Sequence, residues 1–414
     1  MLTSRTDSVA QSQVAAGQET EPHVVYVCNP PWMGGAEEFL VRLVTNVRRS
    51  GWRATVLLPD RPYLQSVVQR LQSIGVQVLA DQVKTERDYL IPALLHLADV
   101  PQRAWLKQTL RDLAPDIVHV NQPIAESVQL ALQAAAGLHL PVVTTVHQYK
   151  SVLVRGHKLA RLRDVVINWH YRNVQAVSLP VARAAQVLEK QYPQTRGKTC
   201  VVPPSIDTEV FSPERVAALT PVVRRRLDPT GEHLLVGIIA RLSKEKGQRA
   251  LLAVWPQIRQ RVPEARLILA GDGPDRPTIE AMCRELHIED SVKLLGHVPP
   301  QEVPELLTAL DVVVQPSVHE CLPLAMLEAM VMGRAVIATA VDAIPDVLIH
   351  ESAGLLVPPN DASALADAVV RLLHDLPLAA RLGREAREIV LKHYTADEQI
   401  QQVLNLYQRV LAVR

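Results

Sequence analysis

The sequence predicts an α/β fold made of two facing, doubly wound parallel-sheet units with a cleft between them. Three observations predict it. Short β-branched runs alternate with helix-sized segments from His23 onward, a proline-rich break interrupts them, and a second series of the same kind follows. At 414 residues the chain has room for two or three domains, each with its own core.

Met1 to Glu21 is polar and lacks a hydrophobic h-region, which predicts a disordered tail over residues 1–22 and argues against a secretory signal. In the first unit, residues 23–205, the strand-like runs are Val24 to Cys28, Ala54 to Leu58, Val76 to Leu79, Ile117 to Val120, Val142 to Val146, Val174 to Val177 and Cys200 to Val202. Prolines at 203, 204, 213, 221 and 229, with no sustained apolar period, make residues 206–232 a linker. The second unit, residues 233–394, carries the runs Leu234 to Ala240, Arg266 to Ala270, Val292 to Leu295, Val312 to Gln315, Ala335 to Thr339 and Leu355 to Val357. Helical segments such as Pro274 to Leu286, Gln301 to Leu310, Pro323 to Met332 and Ala362 to Leu373 separate them. Residues 395–414 read as a terminal helix with Ile400, Val403, Leu404, Tyr407, Val410 and Leu411 on one face. Ligands of such sheets bind at the carboxyl ends of the strands, so two facing units define a cleft.

Composition excludes several classes. With 48% hydrophobic residues and scattered Gly and Pro, the chain is neither disordered nor collagen-like. A net charge of +1 argues against general nucleic-acid binding, which needs many phosphate-neutralising cations on one surface. No apolar run approaches the ~18 residues that span a bilayer. Cys28, Cys200, Cys283 and Cys321 show neither Cys-x-x-Cys spacing nor a disulfide-rich density, which fits reduced thiols in a cytoplasmic protein.

Familiar motifs fail by spacing. Gly197-Lys198-Thr199 lacks the P-loop glycine, since Tyr192 stands in its place. His319-Glu320 begins like a zinc-protease helix, but the second histidine position is Pro323. Gly271-Asp272-Gly273 has Arg276 where a dinucleotide fingerprint needs its third glycine, and reads as a tight turn. There is no Gly-x-Ser-x-Gly elbow, and no Asp-x-Asp pair to hold a metal on a diphosphate.

The segment Pro316 to Gly333 is more informative. It follows a strand, and Pro323 suits the first helical position, where its missing N–H costs nothing. The first-turn amides around Cys321, Leu322 and Leu324 then face the cleft and are available to ligand oxygens. Glu328 lies beyond the first turn amid apolar neighbours, so it either has a partner or is a half-exposed glutamate on a core helix. Arg241, at the end of a strand, and Lys246, at the start of the next helix, are fixed charges of the kind a diphosphate leaving group requires; on the residues alone they are equally readable as surface cations. Gly34 and Gly35 between the first strand and its helix suit close backbone approach and φ > 0 at a phosphate or acceptor, or a plain turn. His147 follows a strand at the cleft end, where a lone histidine is more often structural.

At these residues the chain resembles the family 4 glycosyltransferases of GT-B architecture, in which two Rossmann-like units face each other. Glu320 and Glu328 have the spacing of that family's Glu-x7-Glu signature. Gly34-Gly35-Ala36-Glu37, Ile206-Asp207-Thr208, Phe211-Ser212-Pro213, Arg241 with Lys246-Gly247, Gly271-Asp272-Gly273-Pro274 and Gly296 add matches across nearly all of residues 23–394. The resemblance implies a retaining, metal-independent hexosyltransferase that takes a nucleotide sugar as substrate, a UDP- or GDP-sugar, and needs no cofactor. It implies a donor site at Gly34, Gly35, Arg241, Lys246, Gly273, Glu320, Cys321, Leu322, Pro323, Leu324 and Glu328, with Glu320 on the sugar hydroxyls and Glu328 on the ribose. It implies a reaction centre at His147, Arg241, Lys246 and Glu320, and an acceptor side at Trp32, Gln148, Lys150 and Arg155.

Three departures from the family pattern lie near the donor sugar. Gln148 follows His147 where many members have Asp, Cys321 replaces a small residue, and Asp342-Ala343-Ile344-Pro345-Asp346 replaces the usual Gly-Gly-x-Pro-Glu. They bear on which sugar fits, and they keep open a same-fold epimerase or hydrolase and a non-catalytic sugar-nucleotide-binding protein.

The +1 total is a cancellation. Residues 1–210 hold 22 basic and 17 acidic side chains, and residues 211–414 hold 22 and 26. Between Val146 and Cys200 ten basic residues face two acidic ones. Within that stretch Arg155, Lys158, Arg161 and Arg163 interleave with Val154, Leu159, Leu162, Val165 and Val166, ending near Trp169 and Tyr171. Such a helix either lies on an anionic membrane or is a solvated helix with an apolar core face. The expected partners are therefore a glycan or lipid-linked acceptor and an anionic membrane surface, with no nucleic acid, and the expected location is cytoplasmic or peripheral on the inner membrane face.

Overall fold

The computed structural model describes residues 21–30, 34–80, 83, 99–150 and 159–412. The expected tail therefore falls almost entirely outside the described residues, as do Trp32, Val154, Arg155 and Lys158.

The first sheet contains β1 (His23–Cys28), β2 (Arg53–Leu57), β3 (Gln77–Leu79), β4 (Ile117–Ile124), β5 (Val142–Gln148), β6 (Ala176–Leu179) and β7 (Thr199–Val201). Its spatial order is β3-β2-β1-β4-β5-β6-β7, and every pairing is parallel. The second sheet contains β8 (Leu234–Ile239), β9 (Ala265–Ala270), β10 (Val292–Gly296), β11 (Val312–Gln315), β12 (Ala335–Thr339) and β13 (Leu355–Val357), in the order β10-β9-β8-β11-β12-β13, again all parallel. The continuous apolar runs follow from this topology, because helices cover both faces of each sheet and leave no wet side. β6 begins two residues after its expected start; Val174 is buried in the preceding turn, where an apolar run has the same pattern as a strand.

In each sheet the strand order reverses beside the first strand, between β1 and β4 and between β8 and β11. A doubly wound sheet opens its ligand crevice at that point, and the candidate site residues described below lie at the carboxyl ends of the strands, on the loops that follow them or on the helices after those loops.

Residues 211–227, read as linker, carry two short helices, Pro213–Val216 and Thr220–Leu227. Phe211, Val216, Val223 and Leu227 join the core of the second unit, so the segment is packed along its length. The last helix, Ala396–Ala412, crosses back to the first unit and packs on the Gly35–Arg49 helix, placing Val403, Leu406, Tyr407 and Val410 in that core. Its Tyr407 hydroxyl lies 3.0 Å from that of Tyr26 and 2.6 Å from Nδ1 of His119, whose Nε2 lies 2.8 Å from Thr145 Oγ1. Burial pushes His119 down to about 3, so this polar knot stays neutral. The two passages of chain between the units run side by side, with the Ile206 N–H donating to the Tyr394 carbonyl at 2.7 Å.

The helix Ala160–Tyr171 has an unusual polarity. Arg163 is buried and ion-paired with buried Glu126, and His170 is buried against Gln129 and Gln133. Leu159, Leu162, Val165 and Trp169 instead face solvent, with Val165 65% exposed. Arg163 and His170 thus share the buried face with Ile167 and Tyr171, while an apolar stripe faces outward.

Candidate active site

Lys246 reaches the cleft because of the glycine after it. Gly247 has φ +73°, and a Cβ there would stand 1.8 Å from the Pro316 carbonyl oxygen. The Lys244–Lys246 turn therefore presses against the loop that follows β11, and the Val318 N–H donates to the Glu245 carbonyl at 2.8 Å. Lys246 pairs with Glu320 on that loop, whose Oε1 also accepts from Gln315 Nε2 (3.1 Å) and Ser317 Oγ (3.0 Å). Arg241, at the end of β8, pairs with Glu245. The expected cations thus stand together at the carboxyl end of β8, each held by a carboxylate of its own unit.

Gly273 acts one step back. A Cβ on it would meet the Leu242 carbonyl oxygen at 2.3 Å, so glycine permits the loops after β8 and β9 to touch and braces Arg241 from behind. The helix after Glu320 starts at Leu324, with Pro323 as its extended N-cap instead of its first helical residue. No side chain caps this helix; the Met326 and Leu327 N–H groups donate to the Pro323 carbonyl, and those of Leu324 and Ala325 at its start are left for a ligand. Cys321 and Leu322 pack against the core of the first unit, which brings the two halves into contact beside the site. Burial and the Glu320 and Asp342 carboxylates push the Cys321 thiol well above its ordinary range, so it remains a thiol.

Glu328, read as needing a partner, has one. Arg42 of the Gly35–Arg49 helix ion-pairs with it and donates to the Ser205 carbonyl at 3.0 Å, tying the first unit and the crossover to the Leu324–Val331 helix.

His147, at the end of β5, lies 2.8 Å from Asn121 Oδ1 through Nε2 and edge-on to Phe39. Asn121 spends its amide on the Ala36 carbonyl at 3.2 Å and on Cys28 Sγ, so its oxygen accepts and His147 Nε2 carries the proton. Burial pushes His147 down to about 3, leaving a neutral ring with a lone pair on Nδ1. Gln148 is exposed at the strand end. Lys150, expected on the acceptor side, instead spans the cleft to Asp342 Oδ1 (3.0 Å) and His319 Nδ1 (2.8 Å). Asp342, where the resemblance leads to expect glycine, has φ +47°, a conformation that Asp tolerates better than most residues. Its Oδ2 accepts the Glu320 N–H at 2.9 Å.

Neither Gly34 nor Gly35 has the positive φ their sequence suggested; Gly34 is an extended N-cap, so the torsional reason for glycine does not apply. Asn121 and Arg42 were not singled out by the sequence, and Asp342 was noted only as a departure near the donor sugar. Asn121 had a signal, a polar side chain at the carboxyl end of an apolar strand next to β1, whereas Arg42 reads in sequence like any cation on a helix. Among the described residues no group of three or more His, Cys, Asp or Glu side chains is arranged to hold a metal.

Residues 33–210 match the family described as Glycosyltransferase Family 4, and residues 222–389 the family described as Glycosyl transferases group 1. A 2-deoxystreptamine glucosyltransferase of Streptomyces kanamyceticus is 27% identical over 90% of this chain and 98% of its own. The N-acetyl-alpha-D-glucosaminyl L-malate synthase of Bacillus anthracis is 37% identical over 36% of this chain and 38% of its own. Among solved structures, Anabaena HepE in complex with UDP superposes with TM-score 0.75 at 22% identity, covering 94% of this chain and all of that one. Sucrose-phosphate synthase of Thermosynechococcus elongatus gives 0.77 at 21%, covering 95% and 100%. These structural likenesses establish the GT-B fold.

Proposed function

The chain belongs to the family 4 glycosyltransferases, and from that premise we propose that it moves a hexosyl group from a nucleotide-sugar donor to an acceptor hydroxyl, with retention of anomeric configuration and without a metal ion. The observation that carries this reading is the cation pair Arg241 and Lys246, fixed at the carboxyl end of β8 opposite the uncapped Leu324–Val331 helix. As the bond from the anomeric carbon to the diphosphate breaks, its electron pair goes to the phosphate oxygen, and these cations meet the developing charge. The acceptor hydroxyl bonds to the same face of the sugar, and its proton passes to the departing phosphate. Glu320, tied to Lys246, Gln315 and Ser317, is better suited to hold sugar hydroxyls than to act as nucleophile. His147 presents Nδ1 as a hydrogen-bond acceptor. Closure of the cleft excludes water from the reaction.

A screen of UDP-, GDP- and ADP-sugars for slow donor hydrolysis tests this reading. One sugar nucleotide is expected to be cleaved, with unchanged rate in EDTA and with the product anomer matching the donor by NMR. Inversion, a metal requirement or an epimerised sugar overturns the corresponding part.

The charge of the first unit favours an anionic or lipid-linked acceptor over a cationic aminocyclitol. It also fits peripheral attachment to an anionic membrane through the stripe Leu159, Leu162, Val165 and Trp169. Arg161 and Arg172 are exposed beside the stripe, the latter 4.0 Å over the Trp169 ring. No described helix is long and apolar enough to cross a membrane. Co-sedimentation with anionic but not zwitterionic vesicles at low salt is expected. Val165→Ser with Trp169→Ser weakens it by about tenfold or more, since two apolar side chains leave the interface. Absence of binding at low salt removes the membrane role.

A further inference from the structure

The loop after β12 carries the sequence departure Asp342-Ala343-Ile344-Pro345-Asp346 and reaches from the second unit into the first. Ala343 is fully buried in the first unit's core, the same cluster against which Cys321 and Leu322 pack. An ion pair stands on either side of it, Lys150 with Asp342 at 3.0 Å and Arg183 with Asp346 at 3.0 Å. In both the cation belongs to the first unit, as it does for Arg42 with Glu328. The Arg183 pair is open to solvent and screened, whereas the Asp342 side chain is only 14% exposed.

Asp342 also works within its own unit. While Oδ1 takes Lys150, Oδ2 accepts the Glu320 N–H at 2.9 Å. One carboxylate therefore joins the first unit to the backbone of the residue whose side chain holds Lys246. Lys150 donates in addition to His319 Nδ1 at 2.8 Å, so it grips the loop of Glu320 from both sides of that residue's backbone contact. A φ of +47° suits glycine better than a residue with a Cβ, and such a conformation persists where its surroundings fix it. The two charge-assisted contacts of Asp342 supply that fixing.

We propose that Asp342 is a positioning residue for sugar transfer: through Oδ2 it fixes Glu320 against the donor sugar, and through Oδ1 it lets Lys150 of the first unit hold the cleft shut over that sugar. This deepens the reading of Glu320 as the holder of the sugar hydroxyls and rests on it. The two oxygens have separable effects. Loss of Lys150 leaves Glu320 in place but lowers the population of the closed, binding-competent cleft, which raises KM. Loss of the Oδ2 acceptor frees the Glu320 backbone and moves its carboxylate off the reacting geometry, which lowers kcat.

The test is donor hydrolysis by the full chain, with kcat and KM read separately on whichever of UDP-glucose, UDP-N-acetylglucosamine, GDP-mannose and ADP-glucose wild type cleaves. Melting by circular dichroism is the folding control. Lys150→Met is expected to raise KM by about threefold or more, with the smaller part of its loss in kcat. Asp342→Asn removes the charge but keeps a carboxamide oxygen for the Glu320 N–H, and is expected to match Lys150→Met. Combined, the two changes are expected to be no worse than either alone, because both break one contact. Asp342→Gly relieves the backbone at φ +47° and removes both oxygens, and is expected to add a fall in kcat of about tenfold or more. A kcat for Asp342→Gly close to that of Asp342→Asn overturns the proposal and leaves the donor reading standing. So do kcat losses that simply follow melting temperature across the variants, the mark of a structural role alone. If wild type cleaves none of these sugar nucleotides, the donor reading itself fails, and this inference falls with it.

Discussion

Lys246→Ala is expected to lower sugar transfer by about 10²- to 10³-fold, measured as kcat under saturating donor, while the protein remains folded. The magnitude follows from removing one preorganised charge from the place where negative charge develops on the leaving phosphate. Lys246 is not an isolated cation, because Glu320 holds it together with Gln315 and Ser317. The substitution therefore also leaves Glu320, whose side chain is 9% exposed, with two neutral donors in place of a counter-charge. A second consequence is a lower melting temperature, partly restored in Lys246→Ala with Glu320→Gln, where no buried charge is left unpaired. Activity is not restored in that double variant, because the lost cation is what the leaving group needs. Turnover of Lys246→Ala within tenfold of wild type would remove Lys246 from the reaction centre.

Gly247→Ala is expected to cost about 3 kcal/mol or more of folding stability and to abolish transfer in whatever fraction folds. Two effects add at this position. The φ of +73° disfavours any residue with a Cβ, and that Cβ would lie 1.8 Å from the Pro316 carbonyl oxygen. Backbone, not a flexible side chain, must move, and it belongs to the loop that carries Ser317 and Glu320. Gly333 separates the two effects, since its φ is +68° with no atom within 4 Å of its absent Cβ. Gly333→Ala pays the torsional penalty alone, about 1–2 kcal/mol. Urea denaturation of the two variants reads the difference; equal losses would mean that the contact with Pro316 is unimportant.

The two sheets were legible because buried parallel strands announce themselves as unbroken apolar runs, and β11 to the Leu324–Val331 helix was legible down to its paired glutamates. What escaped the sequence was mostly long-range. The apolar face of the last helix shows that it packs, but not that it packs on the first unit across Tyr26 and His119. Arg42 finds Glu328 only when residues 286 positions apart have been brought together by the fold. In Ala160–Tyr171 the buried face is mixed, with Arg163 and His170 beside Ile167 and Tyr171, because Glu126, Gln129 and Gln133 bind the two polar side chains from inside. Gly34 and Gly35 were over-read, since an extended N-cap makes no torsional demand for glycine.

The return of the last helix to the first unit means that sequence halves and folding units do not coincide. A fragment ending at residue 205 would lack Val403, Leu406, Tyr407 and Val410, leaving Tyr26 and His119 without the hydroxyl that joins them. The second unit, in turn, is enclosed at both ends by chain that belongs to the first. The protein is therefore topologically a clasp: the two passages of chain that join its sheets lie side by side and are bridged to each other at Ile206 and Thr395.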